Sequence, residues 1–236
     1  MAKYSPKTNE ELQELVNDES VNLGDIDTSA ITDMSFLFQY AKRKDFSGIE
    51  KWNTSNVTDM EGMFCGAENF NYNISNWNVA SVTNMREMFQ RSNFNNNIND
   101  WNVSSVEDMC SMFAETPFNQ PLDKWDTSNA RYMNCVFEDN HEFNQDISSW
   151  DVSGVVDMAA MFAGAEKFNQ NIGCWNIGSV EDMQGMFGGA TNFNQNLNDW
   201  DVSSIQSMEC MFEDCPMQDN LPDWYEEECD DEEDED

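Results

Sequence analysis

Trp150-Asp151-Val152-Ser153-Gly154-Val155-Val156-Asp157-Met158-Ala159-Ala160-Met161-Phe162 is followed at 168–172 by Phe-Asn-Gln-Asn-Ile, and then by a new tryptophan, Trp175. The same order of residues recurs along the chain. Eight tryptophans stand at 52, 77, 101, 125, 150, 175, 200 and 224, always 24 or 25 residues apart. Fixed self-similarity at this period marks stacked repeats, because one unit cannot bury its apolar face alone. One further unit precedes Trp52. It has Ile26 in the tryptophan place, opens with Asp27-Thr28-Ser29-Ala30-Ile31-Thr32-Asp33-Met34, and carries an insertion around Lys42-Arg43-Lys44.

The repeat sorts the large apolar residues into columns. Met34, Met60, Met85, Met109, Met133, Met158, Met183 and Met208 fill one, and Phe38, Phe64, Phe89, Phe113, Phe137, Phe162, Phe187 and Phe212 fill another. A third holds Phe46, Phe70, Phe94, Phe118, Phe143, Phe168 and Phe193, with Met217 in the last coil. In each unit Ile74-x-x-Trp77-x-Val79 has the alternation of a short strand. Val82, Met85, Met88 and Phe89 follow at helical spacing. Asn56 before Asp59, and Ser104 before Glu107, resemble helix starts. The expected fold class is therefore α/β: a single repeat solenoid of about eight 24–25-residue coils, each a short parallel strand plus a helical turn.

The expected organisation has three parts. Residues 1–25 form an N-terminal capping helix, opened by the capping box Thr8-Asn9-Glu10-Glu11 and carrying Leu12, Leu15 and Val16. Residues 26–225 form the repeat body, and 226–236 a disordered acidic tail of ten carboxylates and one cysteine. Leu221-Pro222-Asp223-Trp224 puts a proline in the last expected strand, a device against edge-to-edge growth.

Charge excludes some partners. With 46 acidic and 11 basic residues, the net charge is −35, and the body without its tail still carries about −25. Such a chain repels nucleic acid and anionic membrane surfaces, so neither is an expected partner. Six of the basic residues lie in the first 51 positions. The start MAKYSPKTNEELQELV lacks the apolar core of a secretory signal, and no run reaches the length of a membrane span, so a cytoplasmic location without membrane insertion is expected. Seven cysteines without repeating spacing point to reduced thiols rather than a disulfide framework.

The Trp-Asp/Asn-Val-Ser-x-Val-x-Asp-Met-x-x-Met-Phe pattern, followed by Phe-Asn-Gln and Ile or Leu, resembles the BspA-like, leucine-rich-repeat-type family of bacterial repeat proteins over about residues 26–224. The resemblance implies a leucine-rich-repeat-like α/β solenoid and a role in adhesion or partner binding. It implies no catalytic residues. Tyr132 and Ser207 depart from the pattern where Asp or Asn is usual.

The main candidate binding surface is the column after each tryptophan: Asp27, Asn53, Asn78, Asn102, Asp126, Asp151, Asn176 and Asp201. Between two inward residues these should point outward from the sheet, either as a solvated ladder that supports the turn or as a recognition surface. Asn71, Asn95, Asn119, Asn144, Asn169 and Asn194 fit a structural asparagine ladder. Calcium binding by Asp59, Asp108, Asp157 and Asp182 is an alternative, although neither the glycine-rich nonapeptide nor the 12-residue loop is present. The single histidine, His141, and the pair Cys210 and Cys215 lack the spacing of a catalytic or zinc site. The expectation is thus a monomeric, non-enzymatic protein without cofactor, presenting a polar, acidic face to an unknown protein partner. Head-to-tail association of the acidic tail with the Lys42-Arg43-Lys44 insertion is the structural alternative.

Overall fold

The computed structural model describes residues 2–225, so the acidic tail and its expected disorder lie outside the described residues. Within them the repeats do stack, but the coils are not made of strands and helical turns. Among the described residues the only α-helix is α1, Asn9–Asn17, and the other helical pieces are 3-10 turns at Leu23–Asp25, Ile49–Lys51 and Pro216–Asp219. Neighbouring coils meet in isolated parallel bridges, one residue per coil, running Asp33, Asp59, Asn84, Asp108, Tyr132, Asp157, Asp182, Ser207. The expectation of an α/β solenoid of eight regular coils is therefore overturned among the described residues.

The backbone hydrogen bonds give the physical reason. Next to the bridge, the Met158, Ala160, Phe162 and Gly164 amides donate to the Asp182, Gln184, Met186 and Gly188 carbonyls at 2.7–2.9 Å. The same four bonds recur at seven successive junctions, from Met34 to Met183. Every second peptide plane here thus points its C=O at the preceding coil and its N–H at the following one. These amides are committed between coils and cannot close the i→i−4 bonds of an α-helix. To alternate the planes, each coil uses two left-handed residues, for instance Ala160 at φ +53° and Gly164 at φ +65°. Between them lie tight turns, such as Met161 N–H to Met158 C=O and Ala165 N–H to Phe162 C=O. The spacing of Val82, Met85, Met88 and Phe89 comes from this run of turns, not from a helix. Likewise the Trp77 amide closes a turn on Ile74, which removes the expected strand.

Side chains complete the stack. The first phenylalanine column is built of rings 5.5–5.8 Å apart from one coil to the next, as in Phe38–Phe64 and Phe162–Phe187. From Phe64 to Phe187 each also lies on the other phenylalanine of its own coil, as Phe162 does on Phe168 at 3.9 Å, while Phe38 meets Phe46 edge-on and the last coil has Met217 in that place. Every tryptophan indole N–H donates to a buried carbonyl of the preceding coil, as Trp125 Nε1 does to Ile98 at 3.2 Å. The thioethers fill the remaining interior, where an unbranched chain adapts to irregular gaps.

At the N-terminal end the four peptide columns would leave carbonyls bare. Helix α1 covers that end, with Leu12 and Val16 buried against the first coil. The Thr8 hydroxyl accepts from the Glu11 amide as N-cap. The Asn9 side chain donates to the Asp33 and Ser35 carbonyls, the first acceptors of two columns. Arg43, in the basic insertion offered for association with the tail, is only 6% exposed. It donates to the Val16, Asp18 and Val21 carbonyls, pinning the end of α1 and the following loop.

Two substitutions test this account. Ala160→Gly relieves a left-handed residue and is expected to stabilise the chain by about 1 kcal/mol, read as a higher urea midpoint. Trp125→Phe removes the indole bond to the buried Ile98 carbonyl, which keeps the Trp101 amide as its other donor, and is expected to cost about 1 kcal/mol in the same experiment.

Candidate interaction surface

The residue after each tryptophan sits in a turn of its own making. The side-chain oxygens of Asp27, Asn53, Asn78, Asn102, Asp126, Asp151, Asn176 and Asp201 each accept the amide two residues on, at 3.0–3.2 Å. Where that residue is Ser55, Ser128 or Ser153, its hydroxyl binds the same oxygen. All of these residues are exposed except Asp27, which is half-buried. They do not stand on a sheet face, as the sequence had implied. The bridges run through a different column, six residues further along each coil. What the structure brings together is a regular outer column of Asx turns, in which Oδ2 of Asp126, Asp151 and Asp201 makes no hydrogen bond among the described residues.

The serine contacts tune these acids. At Asp151 and Asp201 the hydroxyl and then the amide of the serine two positions on hold the carboxyl below its ordinary value. A hydrogen bond to the charged form favours ionisation.

A second column of Asx turns carries the bridges. Asp59, Asp108, Asp157 and Asp182, the calcium candidates, each cap the amide two residues on. Asn84 and Tyr132 interrupt the acids, and among the described residues no group of three or more His, Cys, Asp or Glu side chains converges as for a metal. Burial pushes the Asp157 carboxyl up, the Ala159 amide partly offsets this, and Asp182 and Asp108 add to the rise. A third column, including Asn73, Asp146 and Asn171, does the same work at another corner. The asparagines at 71, 95, 119, 144 and 169 form the inter-coil ladder: each Oδ1 accepts the amide of the next asparagine and a side-chain amide beside it.

The other candidates sit in quiet surroundings. His141 Nδ1 lies 2.9 Å from the Gly164 carbonyl and 3.7 Å from Glu166, at the rim of a cleft with Glu115, Asp139 and Glu142. Burial raises the Cys65, Cys110 and Cys215 thiols, and pushes Cys135 up to about 12 with help from Glu138, so none of these is an activated nucleophile. Sequence reasoning missed the exposed aromatic residues. Phe36 and Tyr40 lie over Gly62 and Gly66, where an added Cβ would meet their rings at 2.6 and 2.2 Å. A glycine one coil after each outlying aromatic was the readable sign. Tyr132, 43% exposed, stands in the acidic bridge column. Among the described residues no helix is long and apolar enough to cross a membrane.

A titration follows from the turn geometry. Because the folded-state pKa of Asp151 lies below the unfolded one, its stabilising contribution is complete above the unfolded pKa and is lost as pH falls through the folded value. In Ser153→Ala the Asp151 carboxyl is expected to titrate closer to its ordinary value, measured by carboxyl chemical shifts.

Comparison with known proteins finds one family. Its profile, described as Mycoplasma protein of unknown function, DUF285, matches residues 9–120 and again 114–224. No curated protein and no solved structure matches the chain. The two matched stretches together take in α1 and the stacked coils up to the last tryptophan, so the chain belongs to the DUF285 repeat family.

Proposed function

We propose that the chain is a non-enzymatic binding protein that presents its outer column of Asx turns to a protein partner carrying cations on its docking surface. The observation behind this reading is the column itself. Asp126, Asp151 and Asp201 are exposed, recur at the coil period, and spend only one carboxylate oxygen on their own turns. A rigid array of anions set one and two coils apart matches a partner bearing a row of Lys or Arg, and such charge complementarity governs association rate and register. The net charge of −35 supports the sign of the partner. The BspA-like, leucine-rich-repeat-type signature belongs to this reading too, since stacked repeats of that type are suited to extended docking surfaces. We place the protein in a reducing compartment such as the cytoplasm, in keeping with the thiols at Cys65, Cys110, Cys135, Cys174 and Cys215. In this reading it acts as a monomer, without cofactor.

The test separates charge from structure. Asparagine already occupies the same column at Asn53, Asn78, Asn102 and Asn176, where it caps the turn equally well. The triple variant Asp126→Asn, Asp151→Asn and Asp201→Asn should therefore fold normally. Proteins captured from a lysate on immobilised wild type should be released by salt and bind the variant on the order of tenfold more weakly. Equal capture by both chains would rule out the acidic column as the docking surface.

A further inference from the structure

We infer that Cys110 and Cys135 form a latent disulfide across the junction between the fourth and fifth coils, open in a reducing compartment and closed by a small-molecule disulfide. This stands independently of the proposed binding surface. The register of the junction carries it. The Ser111 amide donates to the Asn134 carbonyl at 3.0 Å, and the Phe113 amide to the Val136 carbonyl at 2.9 Å. Cys110 therefore stands against Asn134 and Ser111 against Cys135, which makes the two cysteines diagonal neighbours. Paired backbones lie roughly 4.8 Å apart and successive Cα atoms about 3.8 Å, so the diagonal is roughly 6 Å. Disulfides bridge Cα separations of about 4.4–6.8 Å.

The side chains leave on one side. Cys110 Sγ lies 3.6 Å from Ser111 Oγ. Ser111 and Cys135 share a column and a left-handed backbone, at φ +55° and +58°, so their Cβ atoms point alike. The Ser111 hydroxyl thus stands beside both thiols. Among the described residues no other two cysteines occupy adjoining columns of neighbouring coils.

The order of steps follows from access. Cys135 is half-buried and open to a small reagent, whereas Cys110 is buried beside Arg86, Asp108 and Asn134. The Cys135 thiolate attacks one sulfur of the small disulfide and expels a thiolate. The Cys110 thiolate then attacks Cys135 Sγ in the mixed disulfide and expels the second. The protein gives up two electrons and two protons, and the small disulfide becomes two thiols. Burial raises the Cys110 thiol and pushes Cys135 up to about 12, with Glu138 adding to the latter, so thiolate is scarce and closure is slow. The reduced pair gains nothing from a stabilised thiolate, the feature that makes some disulfides strong oxidants. The bond once made therefore resists reduction, and it staples the middle of the stack by restricting the unfolded chain.

The full 236-residue chain is held at mildly alkaline pH with excess oxidised glutathione, alkylated with iodoacetamide and digested. A peptide pair joined through Cys110 and Cys135, lighter by two hydrogen atoms than its separate parts, is expected. The oxidised chain should melt roughly 5–10 °C higher, and dithiothreitol should return it. Cys135→Ser repeats the residue that Ser111 already places in this column, so it should fold, with neither the joined peptide nor the rise. Cys110→Ser should stop at glutathione held on Cys135. Joined peptides that pair either cysteine with another, or that form only as protein concentration rises, overturn the inference. So does an oxidised chain that melts with the reduced one.

Discussion

Everything in this molecule depends on peptide groups that alternate in direction. Four planes per coil turn their C=O backward and their N–H forward, and seven junctions are closed this way. Each net bond contributes only about 1 kcal/mol, but an unmade one in the interior costs more, so the columns dictate where every other group can stand. The price of the arrangement is the left-handed backbone at two positions in each coil, met by glycine at Gly62, Gly66, Gly164, Gly185 and Gly189 and tolerated elsewhere by residues such as Ala160 and Glu115.

That constraint also explains the composition. A coil built of turns has many corners and few regular ladders to absorb its polar backbone groups. Aspartate and asparagine satisfy a nearby amide with their own side chains in three columns, one of them unbroken from Asp27 to Asp201. The acidity that first looks like a signal for a partner is therefore partly architectural. Asparagine appears between the acids of these columns, which limits the repulsion of like charges placed one coil apart.

The period, the core columns and the asparagine ladder were legible in the sequence because each rests on side chains that repeat, as Phe162 and Asn169 do. The Thr8 cap and the buried Leu12 and Val16 were legible too, through capping chemistry and spacing. What misled was the step from spacing to local structure. Val82, Met85, Met88 and Phe89 satisfy a helical pattern, yet turns with left-handed residues place side chains inward at similar intervals. Nothing in Glu87, Ser111 or Cys135 announces a positive φ, since these residues ordinarily avoid it. The bridges were misplaced for the same reason: the apolar alternation around Trp77 marks a corner, while pairing passes through the polar Asp59 and Asn84. The burial of Arg43 was not legible, because nothing near it in sequence indicates the Val16, Asp18 and Val21 carbonyls to which it donates.

The tryptophans carry a consequence for how the chain is made. Each indole reaches back to a carbonyl of the coil before it, never to the coil after. A coil can therefore lock as soon as its own tryptophan has been synthesised, using only chain that already exists. Its partner is 27 to 29 residues back in a chain of 236, a separation of about 0.12 of the chain, within the range of fast-folding helical proteins. The stack can grow behind the ribosome one coil at a time, with the Asn9-capped end as its foundation and little unpaired core exposed at any moment.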